Sequence, residues 1–449
     1  MLEAKKGHLF SPKDMAILIF PLVIEQLLSI TIGMADTIMV SSYSESAVSA
    51  VSSVDVISYL FIQLFAAFST GGAVIVSQYL GKGDREKAKT AAKNLIYIST
   101  TLSIIILIIG LSLKDLVIEW VLGKAEASVQ RDASLYYVPI MFSFPFLAIF
   151  DATTAISRSI RKTTRTMLVA VLINIVNICG NYTLIYIFDM GAEGAALASM
   201  TSRAVGALVM FIIMRREKEE CSLSHILKGP LSFDMQKRIM KIGIPSAIDG
   251  SLFSFGKLIV QSFIAGLGTS ALAIHAVVGN FNSYSNIPGN AIALATISLV
   301  GYAAGAKNNN EERYYARLML IIAIVATFAV TLPMYICAKE VISIYSLSST
   351  NTLLAVPICR LCLVMCTFIW PFAFVLPNAL RATGDVRFTM VSSVLSMWAF
   401  RVALCYILIF YFNMGVEGVW YAMYADWAFR GLLYFTRYKG SRWQQINVV

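Results

Sequence analysis

Charge is scarce in this chain: only 14% of its 449 residues are Asp, Glu, Lys or Arg, and three are His. With 58% of the residues hydrophobic, a water-soluble fold of this size would have too little polar surface to cover its core. Polar stretches are rare as well, the longest being 215–241. Enzyme signatures are missing: there is no Gly-rich loop ending in GK[ST], no H-E-x-x-H, no G-x-S-x-G and no metal-spaced Cys/His set. No enzyme and no cofactor are therefore expected, and without a nucleotide site any uphill work must draw on an ion gradient. The cysteines, seven in all, are odd in number and imply no disulfide framework. Cys359, Cys362 and Cys366 share a helical stripe with no His nearby, which reads as core packing rather than a soft-metal site.

Apolar runs fill the space that charge leaves. Twelve are long enough to cross a bilayer, at 15–40, 53–79, 94–113, 133–156, 166–188, 192–214, 242–265, 271–300, 314–337, 352–376, 388–411 and 415–437. Barrel strands would be about half as long and would alternate, so the spans are helices. The net charge of +10 could suggest a nucleic-acid partner, but its placement does not. The N-terminal segment and every second loop collect 27 of the 36 Lys and Arg: Lys5, Lys6 and Lys13, then 81–93, 158–165, 215–241, 307–317, 381–387 and the tail after 436. This is the positive-inside pattern with both ends cytoplasmic, in an inner cell membrane. The first span is expected to serve as the insertion signal, with no removable leader.

The chain repeats itself. A shift of 224 residues lays 21–84 on 245–308, with Pro21 on Pro245, Glu25 on Asp249, Leu28 on Leu252 and Gly81 on Gly305. The same shift lays DMGAEGAA (189–196) on NMGVEGVW (413–420), and a shift of 223 pairs Arg158 with Arg381 and Thr166-Met167 with Thr389-Met390. Six spans per half is an even number, so the halves enter the membrane in the same direction as parallel repeats. The expected organisation is an N-lobe over 1–214, a cytoplasmic linker over 215–241 and a C-lobe over 242–449. Such an arrangement suits alternating access.

The stretch 19–40, IFPLVIEQLLSITIGMADTIMV, carries Pro21, Glu25 and Asp36 inside a bilayer-length helix. A carboxylate there costs several kcal/mol unless it is paired, protonated or hydrated, so intramembrane acids point to function. Eleven residues return Glu25 and Asp36 to nearly one helix face, and Pro21, like Pro245 in the repeat, permits a bend one turn before the acid. Asn177 and Asn181 share a face of the fifth span and offer carbonyl oxygens to a cation beside Asp36. In the second half Asp36 becomes Val260, and the asparagines fall on Arg401 or its neighbour and on Leu404. The first half thus reads as a cation site and the second as a silent copy. Glu25, Asp249 and Asp55, with Tyr59, Phe253 and Tyr284, are candidates for a substrate cleft in which aromatic rings stack on flat cations. Asp426 and Arg430, four apart, read as a buried pair.

Taken together, PLVIEQLLSITIGMADTIMVSS, with its proline fifteen residues before the Asp of an A-D-T-I-M segment, the loop GKGDREKAK (81–89), the NALRATGD stretch (378–385) and the twin MGxEG loops resemble the multidrug and toxic compound extrusion (MATE) transporters. The resemblance spans the whole chain. It implies an all-α polytopic membrane protein of twelve helices in two lobes, exporting organic, often cationic, compounds in exchange for H+ or Na+. It also implies a cation site at Asp36, Asn177, Asn181 and Ser199, the last at the end of MGAEGAALAS. Relatives with a C-lobe sodium site carry acids in helices seven and ten, where this chain has Phe253 and the apolar TFIWPFAF run, so C-lobe coupling is not expected. Some proton-coupled relatives carry a second acid at the place of Asn181. The expected partners are a small organic solute and the lipid bilayer, with neither nucleic acid nor nucleotide, and the protein is expected to act as a monomer. Two other readings are a flippase for lipid-linked saccharides and, more remotely, a membrane-embedded enzyme.

Overall fold

The computed structural model describes residues 8–123, 125–217, 221, 231–345, 347–446 and 448–449. Among the described residues every regular element is helical. Among the described residues twelve long rods follow one another, with short helices at Lys114–Leu122, Ala338–Ser343 and Arg442–Gln445 besides. The first six are α1 (Pro12–Ser41), α2 (Glu45–Gly81), α3 (Arg85–Ser112), α4 (Ala127–Ser159), α5 (Thr163–Asn181, continued by a π-helical Tyr182–Ile187) and α6 (Gly191–Arg216). The next six are α7 (Phe233–Gly266), α8 (Thr269–Ser285 and Ile287–Gly305), α9 (Asn309–Ile336), α10 (Ser349–Phe368, Trp370–Phe374 and Leu376–Thr383), α11 (Val386–Ser396 with π-helical Met397–Leu404 and Ile407–Tyr411) and α12 (Gly415–Lys439). Ten of these rods are long and apolar enough to cross a membrane. The remaining two, α7 and α12, have 34 and 25 residues and exceed the ~20 that a ~30 Å hydrocarbon layer requires.

Two spans expected to be continuous are broken. The run 271–300 divides at Asn286, and 352–376 divides at Ile369 and Val375. Pro288, Pro371 and Pro377 each sit in the first two positions of the following segment, where the missing N–H costs nothing but the preceding helix cannot run through.

The repeat is written in the backbone as well as in the sequence. Left-handed φ values occur at Gly83 (81°) and Lys307 (55°), at Arg161 (61°) and Gly384 (104°), at Asp189 (56°) and Asn413 (53°), and at Gly191 (52°) and Gly415 (56°). Each pair is related by the shift of 223 or 224 found in the sequence. Three of the four non-Gly positions are Asp, Asn or Lys in tight inter-helix turns, and Asp and Asn tolerate this region better than most residues. The caps repeat too: Asp84 accepts the Lys87 N–H at the start of α3, and Asn308 accepts the Glu311 N–H at the start of α9.

Close packing groups Phe10–Ala247 as one unit and Ile248–Val449, with the N-terminal residues, as another. The first unit is centred on buried aromatics of α2 and α4, among them Phe65, Tyr136, Tyr137 and Phe144. Of the expected linker 215–241, residues 218–220 and 222–230 lie outside the described residues, as do Lys5 and Lys6, while 233–241 form the start of α7. At its near end Glu217 is buried and pairs with Lys162 (2.8 Å) and Arg165 (2.5 Å).

Candidate coupling site on the first helix

Helix α1 begins with a capping box in which Ser11 accepts the Asp14 N–H and the Asp14 carboxylate accepts the Ser11 N–H. From there it is joined to the neighbouring α5 and its π-helical continuation at four levels. Pro21 has no N–H to give the Ile17 carbonyl four residues back, and the Thr163 hydroxyl lies 3.1 Å from both the Ile17 and Leu18 carbonyl oxygens. One turn further on, Glu25 accepts the Thr166 hydroxyl at 2.7 Å and the Arg158 guanidinium of α4 at 3.0 Å. Then Asp36 accepts the Asn181 side-chain amide. Beyond it, Ser42 and Tyr186 share a hydroxyl–hydroxyl bond of 2.6 Å.

The four residues placed at a cation site form one cluster. Besides Asn181, Asp36 has the Ser199 hydroxyl of α6 at 3.5 Å; Asn177 donates to Ser199 at 3.3 Å, and Asn181 donates to the Asn177 carbonyl at 3.4 Å. Asn177 and Asn181 are fully buried and Ser199 nearly so. The Asn181 Oδ1 is buried without a hydrogen-bond partner, an unusual and costly state for a carbonyl oxygen beside a carboxylate. The cluster therefore concentrates oxygen acceptors in a place with too few donors. Carboxylate, amide carbonyl and hydroxyl oxygens are the ligand types that suit a hard monovalent cation or a proton. A surrounding set of charges completes the site: Asp55 accepts the Tyr136 hydroxyl at 2.9 Å, Arg203 donates to Ser143 at 2.6 Å, and the Arg203 charge acts on Asp36, Asp55 and Asp151.

Glu25 and Asp249, expected as acids exposed to a cleft, have partners instead. Both are under a tenth exposed. Asp249 accepts Arg381 at 2.6 Å, and Arg381 also approaches the Thr389 hydroxyl at 3.4 Å. The acid, arginine and threonine thus recur in both halves, Glu25–Arg158–Thr166 and Asp249–Arg381–Thr389, and the charge that the two acids would offer a substrate is neutralised in place. Arg158 and Arg381 lie 133 and 132 residues from their acids. The internal repeat had aligned the two arginines and the two threonines, which was the signal available for finding them.

The remaining candidates are dispersed. Tyr59 is 44% exposed on α2, one turn beyond Asp55. Phe253 lies under two guanidiniums, 5.3 Å from Arg401 and 5.0 Å from Arg430, so its face is already occupied by cations. Tyr284 is half-buried near the end of the first part of α8. In place of the first half's cluster the second half has Asp426, held by Arg430 at 2.8 Å, Arg401 at 3.5 Å and Ser396 at 2.6 Å. Two guanidiniums already neutralise this carboxylate, although its Oδ2 has no hydrogen-bond donor. Cys359, Cys362 and Cys366 are buried, and Cys366 reaches the Asn282 side-chain oxygen at 3.2 Å.

A family model, MatE, matches residues 21–183 and again 245–407. The chain belongs to the MatE family. Its two matched segments are offset by the same 224 residues as the internal repeat. Among the relatives of this MatE protein, the transporter YisQ of Bacillus subtilis (strain 168), itself uncharacterised, is 29% identical over 98% of both chains. A probable multidrug resistance protein NorM of Thermotoga maritima is 26% identical over 97% of this chain and 94% of its own. Among solved structures, an outward-facing multidrug resistance MATE transporter superposes with a TM-score of 0.87 at 21% identity, covering 95% of each chain. Membership of the MatE family and the apolar helices make this protein a multi-pass membrane transporter rather than an enzyme.

Proposed function

We propose that the protein is a secondary antiporter that exports small amphipathic, cationic organic compounds in exchange for inward H+ or Na+, with Asp36 as the coupling residue. The names of its relatives, multidrug resistance proteins in several bacteria, support export of organic compounds. The observation that carries the coupling assignment is the buried, unpartnered Asn181 Oδ1 next to the Asp36 carboxylate. Either coupling ion would supply what the cluster lacks: a protonated Asp36 turns from acceptor to donor and can give its proton to that oxygen, while Na+ would be ligated by Asp36, Asn177, Asn181 and Ser199. An ionised Asp36 in this surrounding is costly unless a cation compensates it. Filling by the ion and charge compensation by a cationic substrate are then alternatives, and mutual exclusion through a conformational equilibrium is what antiport requires.

The proposed setting is the inner cell membrane with both termini cytoplasmic, which rests on the distribution of Lys and Arg. The test is uptake into everted vesicles with a proton or a sodium gradient imposed separately; the proposal fails if neither gradient drives accumulation. A second reading, translocation of a lipid-linked saccharide, draws on the surplus of guanidinium over carboxylate around Asp426. Accumulation of a phosphate-bearing lipid rather than of organic cations would favour it.

A further inference from the structure

The second unit contains a cavity of about 390 Å³ lined by Tyr335, Val356, Pro357, Arg360, Leu361 and Val364. It lies between α9 and α10, and both helices carry exposed apolar residues beside it: Phe328 and Leu332 on α9, Leu353, Val364 and Phe368 on α10. Arg360 is the one charge in its lining. Its guanidinium carbon stands 5.4 Å from the centre of the Tyr335 ring, and its Nε is buried with no hydrogen-bond partner. Arg360 makes no ion pair with any described residue. The acids of α9, Glu311 and Glu312, lie in its first turn, more than twenty residues from Tyr335; α10 has none, and Glu340, in the short helix Ala338–Ser343 that follows α9, is exposed and does not pair with Arg360. A guanidinium cannot shed its charge, so in a bilayer it must find an anion or water.

We propose that this crevice binds the phosphate of an anionic phospholipid, with the acyl chains lying along the exposed apolar faces of α9 and α10. Three features select this occupant. Tyr335 is one residue from the end of α9, which places the guanidinium level with the last turn of that helix. The site therefore opens near the headgroup layer of the leaflet opposite the termini. The guanidinium fork fits phosphate oxygens in a two-point hydrogen bond, and a tyrosine hydroxyl at the membrane–water boundary is well placed to add to it. Finally, the cavity's neighbours are apolar, as an acyl chain needs and a soluble anion does not.

The test uses the full-length protein purified in mild detergent, with native mass spectrometry and thermal unfolding as readouts. Dioleoylphosphatidylglycerol, dioleoylphosphatidylcholine and inorganic phosphate are added in turn. The wild type is expected to retain the phosphatidylglycerol and gain thermal stability from it, with little response to phosphatidylcholine or phosphate. Arg360→Gln should lower retention of the anionic lipid about tenfold or more, since a hydrogen bond to a charged group is worth at least a decade in binding. Leu361→Glu supplies an internal counter-charge and Val364→Trp fills the cavity; both should lose lipid retention while keeping Arg360, which covers the case in which Arg360→Gln does not fold. Equal retention by wild type and all folded variants overturns the proposal. Equal response to phosphatidylcholine, or a response to inorganic phosphate as large as to the lipid, overturns it as well. Transport activity is not needed for this readout, so failure of the antiport assignment would leave it unaffected.

Discussion

Asp36 and Glu25 stand on one helix eleven residues apart and meet opposite circumstances. Glu25 has a guanidinium and a hydroxyl; Asp36 has amide and hydroxyl donors and an orphaned acceptor beside it. Asp36→Asn is therefore expected to abolish gradient-driven accumulation in everted vesicles while leaving the thermal unfolding profile close to wild type. Asn181→Ala should weaken the ion dependence more than Asn177→Ala, because Asn181 is the residue that touches the carboxylate. Retained accumulation with a normal ion response in Asp36→Asn would remove the coupling assignment. For Glu25 the expectation is structural. Arg158→Gln strands a buried carboxylate, which typically costs ~3–5 kcal/mol; the double change Glu25→Gln with Arg158→Gln should recover most of the lost melting temperature. A double variant as unstable as the single one would show that the pair contributes little. Glu25→Gln should also reduce export of neutral and cationic compounds alike, in contrast to the selective loss that a free acid in a cleft would give.

At the scale of the element, α1 is anchored unevenly. Its first half is held by Thr163 on the Ile17 carbonyl that Pro21 leaves open and by Glu25 on Arg158 and Thr166, none of which depends on the coupling ion. Its second half is held by Asp36 and by an exposed Ser42–Tyr186 contact. A change of charge at Asp36 would thus act on the part of the helix beyond Glu25. Thr163→Val removes the hydroxyl and leaves the Ile17 carbonyl without a donor, a loss of about 1 kcal/mol, and should lower thermal stability without altering ion specificity. A shift in the preferred coupling ion would mean that the first turns of α1 take part in coupling. The sequence made the helices legible, and the shared face of Asn177 and Asn181, because spacing on a helix depends on near neighbours; that these residues and Ser199 gather at Asp36 was implied by the family resemblance. It did not reveal the breaks at Asn286, Ile369 and Val375, where apolar composition continues across a proline, nor the Arg158 and Thr163 contacts, whose partners are brought together only by tertiary packing.

Over the whole molecule the two halves share a backbone and differ in chemistry. Turn conformations, caps and the acid–arginine–threonine set recur, whereas Thr163 and the residues of the proposed cation cluster do not. Thr163, which answers Pro21, corresponds to Val386; Asp36, Asn181 and Ser199 correspond to Val260, Leu404 and Met423. The place of the first half's cation cluster is taken by Asp426 between two guanidiniums. Duplication thus kept the frame, and the two copies differ at the acid: Asp36 has amide and hydroxyl oxygens beside it and the Arg203 charge acting on it, whereas Asp426 is ion-paired with two guanidiniums. On the coupling proposed at Asp36, a single coupling ion per transport cycle is expected. Initial rates of export should rise with the coupling ion along a hyperbola with a Hill coefficient of about 1, because only one site links ion occupancy to the conformational equilibrium. Arg401→Gln should leave that coefficient unchanged, since it removes repulsion without adding a carboxylate. A coefficient near 2 in the wild type that falls to 1 in an Arg401 or Asp426 variant would place a second ion in the other half and overturn the assignment of coupling to one half alone.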